Sequence, residues 1–407
     1  MTIYVLATLD TKGPEAVLVC DRLRELGLAV KLVDTGCLGE PTFTADVSRE
    51  QLFAAGGTSL TELRQQNDRG AAIAAAAQSA AALIRQAWEQ KQVTGVLALG
   101  GSAGTTIGTA AMRVLPIGVP KVMVSTLASG QVRSYVRDKD ITMLNSVVDI
   151  AGINRLSRQI LLEAAAAMAG MIQFAAKPQD SQDRPLIAAT MFGVTTPCVQ
   201  HARQILELAG YEVLIFHATG NGGEAMESLI RDGLIAGVLD ITTTELADEL
   251  VGGVLSAGPT RLTAAGERGI PQVISVGALD MVNFGPRETV PAKFADRQFY
   301  QHNANVTLMR TTPAENETLG AEIGRKAAAA KGPVEIILPL QGISALDCPG
   351  KPFDDPAVRE RLFDSIRQNA GNVSVSALDL HINDAPFAEA AANCLLRLLN
   401  RVGRTQS

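Results

Sequence analysis

Aromatic side chains are scarce: they make up 4% of the 407 residues, with a single tryptophan. The interior is therefore expected to be mainly aliphatic. Hydrophobic residues still reach 47%, supplied by Ala, Val, Ile and Leu, which suits parallel sheets packed between alanine-rich helices. Cysteine is nearly absent as a structural device. Cys20, Cys37, Cys198, Cys348 and Cys394 are odd in number, scattered, and form no C-x-x-C pair, which excludes a disulfide framework and a cysteine zinc site. The four histidines, His201, His217, His302 and His381, form no H-x-x-x-H pair, so zinc hydrolysis is not expected. No Gly-x-Ser-x-Gly elbow is expected either, which leaves a Ser-His-Asp hydrolase without support. An excess of positive charge is missing too. Lys and Arg number 36 against 42 Asp and Glu, a formal charge of -6, so DNA and RNA are not expected partners. No apolar run spans a bilayer; the longest, Ala71–Ala77, is far too short. The first residues run straight into a strand pattern without a basic leader, so a cytoplasmic, reducing setting is expected.

What the sequence has is alternation. Ile3–Thr8 is a compact apolar run, followed by Thr8-Leu9-Asp10-Thr11-Lys12-Gly13 as a loop and by a helical pattern that Pro14 opens and Gly27 closes. Further strands are expected at 29–33, 95–99 and 121–126, with an alanine-rich helix over about 70–90. After a polar break at 177–184 the pattern returns, with strands at 185–190, 212–217, 235–241, 271–277 and 334–340. The expected fold is therefore α/β: two consecutive doubly wound, Rossmann-like domains with mainly parallel sheets, residues 1–180 and 185–407. The halves read as diverged copies offset by about 183 residues. The segment 280–310 lacks periodicity and reads as a lid or partner arm. With 378–392 it suggests a homodimer or larger assembly.

The strongest motif is Gly100-Gly101-Ser102-Ala103-Gly104-Thr105-Thr106, between a buried strand and a helix. Glycines there let a phosphate approach the backbone, and the helix start supplies free N–H groups and partial positive charge. It is neither a Walker A motif nor G-x-G-x-x-G. A tight turn with capping residues is the plainer account. Asp10 and Lys12 sit at the end of the first strand, where open α/β sheets bind ligands; Asp10 suits a metal or ribose and Lys12 a phosphate. Ser125–Gly130 would line the same crevice, and Asn145, Asp149 and Asn154 lie near a helix start. In the second half, Thr242 and Glu245 read as a capping box, Asp240 as open to a hard cation, and Ser256–Arg261 as an anion-friendly helix start. Cys198 reads as a small buried cysteine.

The runs TLDTKG (8–13), GVLALGGSAGTT (95–106), PKVMVST (120–126), NSVVDIAGINRLS (145–157), GNGGEAMESLI (220–230), DITTTELADELVGG (240–253) and GALDMVNFG (277–285) resemble the plant inhibitors of tobamovirus RNA replication and their bacterial relatives. The resemblance covers essentially the whole chain. It implies an ATP-binding N-terminal domain, with magnesium. By motif position it implies as nucleotide contacts Asp10, Thr11, Lys12, Gly36, Gly100, Gly101, Ser102, Gly104, Thr105, Thr106 and Thr126. Plant members carry a further C-terminal domain that this chain does not show. Three functions follow as expectations. One is an ATP- and magnesium-dependent enzyme acting on an unknown small molecule in the cleft between domains. Another is a nucleotide-regulated binding module acting through protein partners. The third is an ATP-independent enzyme acting on a small organic acid.

Overall fold

The computed structural model of the chain describes residues 2–66, 68–174 and 184–406. It divides into two compact units, Met1–Gln179 and Asp180–Ser407. The polar break expected at 177–184 lies, apart from Arg184, outside the described residues.

The first unit runs β1 (Thr2–Ala7), α1 (Leu9–Glu25), β2 (Val30–Asp34), α2 (Arg49–Ala55), α3 (Leu60–Gln66), α4 (Arg69–Glu89), β3 (Val93–Gly100), α5 (Ser102–Arg113), β4 (Lys121–Ser125), α6 (Arg133–Val136), β5 (Thr142–Asn145) and α7 (Arg155–Gln173). Its strands are all parallel, in the order β2-β1-β3-β4-β5. The period of two in β1 divides the core. Tyr4 and Leu6 face Leu52, Phe53, Ala76, Ile84 and Ile107 on one side. Ile3, Val5 and Ala7 face Val19, Leu23, Leu161 and Met168 on the other. Burial on both faces is why these strands read as unbroken apolar runs.

The second unit runs β6 (Leu186–Met191), α8 (Thr196–Leu208), β7 (Glu212–His217), α9 (Asn221–Arg231), β8 (Ile235–Thr242), α10 (Glu245–Val251), α11 (Ala264–Arg268), β9 (Gln272–Gly277), β10 (Met281–Phe284), β11 (Phe299–Asn303), β12 (Val306–Arg310), α12 (Pro313–Ala328), β13 (Val334–Pro339), α13 (Pro356–Asn369), β14 (Ser374–Leu378) and α14 (Ala385–Gln406). Its main sheet is parallel, in the order β7-β6-β8-β9-β13-β14. Both units are thus Rossmann-like, and both reverse strand order beside their first strand, between β1 and β3 and between β6 and β8. Such reversals open a crevice at the carboxyl ends of the strands.

The two sheets share a finer detail. β1 pairs with β3 through Thr2–Val93 and then Ile3–Gly95, skipping Thr94. β6 pairs with β8 through Leu186–Ile235 and then Ile187–Gly237, skipping Ala236. A β-bulge therefore stands at the same place in each unit, next to a glycine that lets a helix press on the sheet. A Cβ on Gly95 would lie 2.9 Å from the Met168 sulfur of α7, and one on Gly237 would lie 3.0 Å from Leu399 of α14.

Three expectations change. The segment 280–310 contains an antiparallel sheet, β10-β12-β11, whose short strands are too brief to register as a period. Residues 378–392 are not a spare surface: Ile382, Phe387, Ala388, Ala391 and Ala392 are buried in the unit's own core. Residues 9–12 form a helical turn rather than an open loop, but the helix breaks at Lys12 (φ −130°, ψ 22°). The Leu9 carbonyl at that break accepts from the Thr42 amide (3.1 Å) and hydroxyl (2.8 Å).

Candidate functional site

The strand reversal in the first unit brings the ends of β1, β2 and β3 together. Thr8, Asp10 and Thr11 from the first α1 turn, Cys37 and Leu38 after β2, and Ala103 and Ile107 of α5 line a cavity of about 110 Å³. Arg69, Ala72 and Ile73 of α4 close it. The walls are mostly apolar, with three kinds of polar group at the rim. Thr8 and Thr11 share a hydroxyl–hydroxyl bond of 2.9 Å. Asp10 accepts from the Gly39 amide through Oδ2 (3.0 Å), while its Oδ1 is buried and has no partner among the described residues. Arg69 is exposed, and no hydrogen bond or ion pair engages it among the described residues. Sequence reasoning missed Cys37, Leu38, Arg69 and Ile73, because nothing in their local pattern says which strand end they will meet.

The loop around the cavity is braced from below. Asp34, at the end of β2, accepts from the amides of Leu9 (3.1 Å) and Gly36 (2.8 Å) and from Arg49 Nε (2.7 Å), a pair buried on both sides. Arg49 also donates to the Gly39 carbonyl. Gly36 is thereby fixed by packing: a Cβ there would come within 2.6 Å of Arg49.

Of the β3–α5 run, Gly100 and Gly104 are required by the turn itself. A Cβ on Gly100 would sit 2.9 Å from Gly104 Cα, and one on Gly104 would sit 3.0 Å from the Leu99 carbonyl. Gly101 differs. A Cβ there would touch only Thr126 Oγ1, at an ordinary 3.6 Å. Gly101 is also the N-cap of α5, and no side chain caps that end, so the amides of the first turn stay open. Ser102 is exposed, and its hydroxyl has no partner among the described residues. Thr105 is fully buried and bonded to Ser125 Oγ at 2.6 Å, which ties α5 to β4. Thr106 bonds back to the Ser102 carbonyl at 2.9 Å. Thr126 is half-buried, with its amide 3.4 Å from the Gly100 carbonyl. Lys12 is half-buried at the helix break, outside the lining of the cavity.

Residues 100–104, Gly-Gly-Ser-Ala-Gly, do satisfy the Gly-x-Ser-x-Gly spacing of hydrolase nucleophile turns, which corrects the expectation that no such elbow is present. The first unit contains no histidine to serve as base. Asn145 and Asn154 are accounted for locally: Asn145 holds the Val147 amide (3.2 Å), and Asn154 caps α7.

In the second unit the matching crevice is filled by the chain. Asp240 takes both terminal nitrogens of Arg261, at 2.6 and 2.7 Å. Glu245 takes Arg261 Nε (2.7 Å) and the amides of Gly220 (2.7 Å) and Gly223 (3.1 Å). Burial raises the Glu245 carboxyl against the pull of Arg261. The cation expected at Asp240 is thus a guanidinium, Glu245 is no capping box with Thr242, and Ser256–Arg261 leads into buried charge rather than an anion site. The counterpart of Glu245, counting from the shared bulge, is Ala103, which leaves space. Cys198 is fully buried, which pushes its thiol up to about 12 and leaves it inert. Among the described residues no group of three or more His, Cys, Asp or Glu is placed to hold a metal ion, and no helix is long and apolar enough to cross a membrane.

Comparison with known proteins gives one family twice. The model described as "Uncharacterised protein family (UPF0261) N-terminal domain" matches residues 1–177, and that for the C-terminal domain matches 184–399. A UPF0261 protein of Clostridium tetani is 48% identical over 401 residues, 98% of this chain and 99% of the relative. The ToMV resistance protein Tm-1(GCR237) of Solanum lycopersicum is 46% identical over 339 residues, 81% of this chain but 45% of that protein. Among solved structures, a putative UDP-N-acetylglucosamine 2-epimerase from Listeria monocytogenes covers 97% of this chain at 12% identity, 95% of its own chain being covered, but its TM-score of 0.22 carries no inference. The chain belongs to the UPF0261 family, whose two domain models it matches in order and whose relatives include the tomato Tm-1 proteins.

Proposed function

We propose that the first unit binds a nucleotide, ATP with magnesium, where β1 and β3 diverge. The supporting observation is Gly101: the fold has room for a side chain there and has none, directly over the uncapped start of α5. A phosphate is the group that uses such a gap, since it accepts from several backbone amides at once and is favoured by the helix dipole. Arg69 would add a charge-assisted contact to the same phosphates. The cavity's 110 Å³ is below the 300–1,000 Å³ usual for whole ligands, so it takes one part of the nucleotide, and the rest lies along the rim of Thr8 and Thr11.

Magnesium fits the residues present. It is usually held by one or two carboxylates together with substrate phosphates, and Asp10 offers a buried oxygen without a partner. When bound, the ion would neutralise phosphate charge; Asp10 would hold it in place. Whether ATP is consumed separates an enzyme from a nucleotide-regulated module, and a turnover assay across small-molecule panels decides between them.

The test is calorimetry on Gly101→Val. Nucleotide affinity should fall at least tenfold, about 1.4 kcal/mol, with the melting temperature little changed. Gly210→Val, at a helix terminator with φ +94°, should lose stability and keep its affinity. A folded Gly101→Val protein that binds ATP as tightly as the parent would refute the site. A thermal shift given by small organic acids and not by nucleotides would favour the ATP-independent reading.

A further inference from the structure

A closed polar cluster lies in the second unit, where the main sheet meets the three-stranded sheet. Asp280, between β9 and β10, is fully buried. Its Oδ2 accepts from Ser344 Oγ at 2.8 Å, while its Oδ1 has no partner among the described residues. Ser344 Oγ accepts in turn from the amides of Leu346 (3.0 Å) and Asp347 (3.2 Å). Asp347 binds Arg359 of α13 at 2.7 Å and the Ile343 amide at 3.1 Å. Arg310, ending β12, reaches the Phe353 carbonyl through Nε (3.0 Å) and the Thr311 hydroxyl through Nη1 (2.9 Å). Its Nη2 makes no hydrogen bond and stands 3.8 Å from Asp347. An unpartnered acceptor and an unsatisfied donor thus share one buried cluster. Buried polar atoms without partners are rare enough to require an explanation.

The backbone beside it is held in an unusual state. Ala278 has φ +59°, in the left-handed region, and its amide is pinned to the Ile343 carbonyl at 3.0 Å. Such conformations cost about 1–3 kcal/mol and persist only where the surroundings enforce them. The loop 343–347 therefore holds both the carboxylates and the strained alanine.

We propose that Asp280, Ser344, Asp347 and Arg310 form a proton-operated latch fastening the β10-β12-β11 sheet to the loop after β13. Ser344 donates to Asp280 in either state; with Asp280 neutral, Arg310 stays with Asp347. With Asp280 ionised, two buried carboxylates compete for Arg310. The guanidinium turns its free Nη2 to Asp280, Asp347 keeps only Arg359, and the loop loosens, releasing Ala278. The direction of titration agrees. Burial first, then the neighbouring Asp347 charge, raises Asp280 to about 7. The folded form therefore holds a proton that the unfolded chain releases near 4, and this stabilisation is present at low pH and lost as pH rises through about 7. Other charged groups facing the cluster are Asp354, which bonds Arg359, and His381, whose Nε2 lies 2.9 Å from the Ser344 carbonyl.

Hydrogen exchange of residues 343–348 in the whole chain, corrected for intrinsic rates, tests this between pH 5.5 and 8.5. A local reading is needed because Asp248, elsewhere in the unit, is also pushed up to about 7 by burial. Protection should fall at least tenfold across the range in the parent. It should stay high throughout in Asp280→Asn, and fall as in the parent in His381→Gln. A flat parent profile overturns the latch, as does a fall retained in Asp280→Asn or abolished in His381→Gln. Should Asp280→Asn fail to fold, the parent and His381→Gln profiles decide alone.

Discussion

Arg261 is wholly buried and remains charged at any working pH, held by Asp240 and Glu245 with Glu227 3.5 Å away. Removing it leaves acids facing one another in a dry site. Arg261→Ala should cost about 3–5 kcal/mol, read by chemical denaturation. Adding Asp240→Asn should recover part of that loss, because one uncompensated charge disappears. If Arg261→Ala is neutral, the cluster does not hold the unit together. The sequence could not show this arrangement. Asp240, Glu245, Glu227 and Arg261 stand on separate elements, and each has an ordinary local use as cap or solvated charge. Gly101 is the opposite case: its motif was plain in the sequence, but only the geometry separates it from Gly100 and Gly104, which the turn needs.

Strands β1, β3, β4, β6, β8, β9 and β13 were legible because burial on both faces makes each a continuous apolar run bounded by Gly, Pro or polar residues. The short edge strand β5 and the antiparallel trio were not. β5 is only Thr142–Asn145, with both ends exposed and the middle half-buried; β11 is exposed along much of its length, so neither carries an apolar signature. The bulges were invisible because an extra residue in a run of apolar residues leaves no trace in composition. They carry a prediction. Deleting Thr94 brings Val93 and Gly95 together and restores one-to-one pairing with Thr2 and Ile3, whereas deleting Leu97 turns the following side chains to the wrong face. The Thr94 deletion should give soluble, cooperatively melting protein, and the Leu97 deletion should not. Equal loss of soluble protein in both would show that the extra residue is needed for the sheet's twist.

The chain as a whole is two units of matching strand order, one with an open crevice and one plugged by Glu245 and Arg261. On the nucleotide reading, calorimetry should give one ligand per chain; two would mean that the plug yields. Residues 184–407 carry their own sheets and their own core, so they should fold when expressed alone and bind no nucleotide. The plugged crevice then has a practical consequence for anyone searching for what this protein binds. Each molecule carries its own blank: a piece of nearly the same architecture, from the same source, carried through the same purification. A compound that shifts the melting of the whole chain and leaves that piece untouched has been sorted from general surface adhesion by the protein's own second unit.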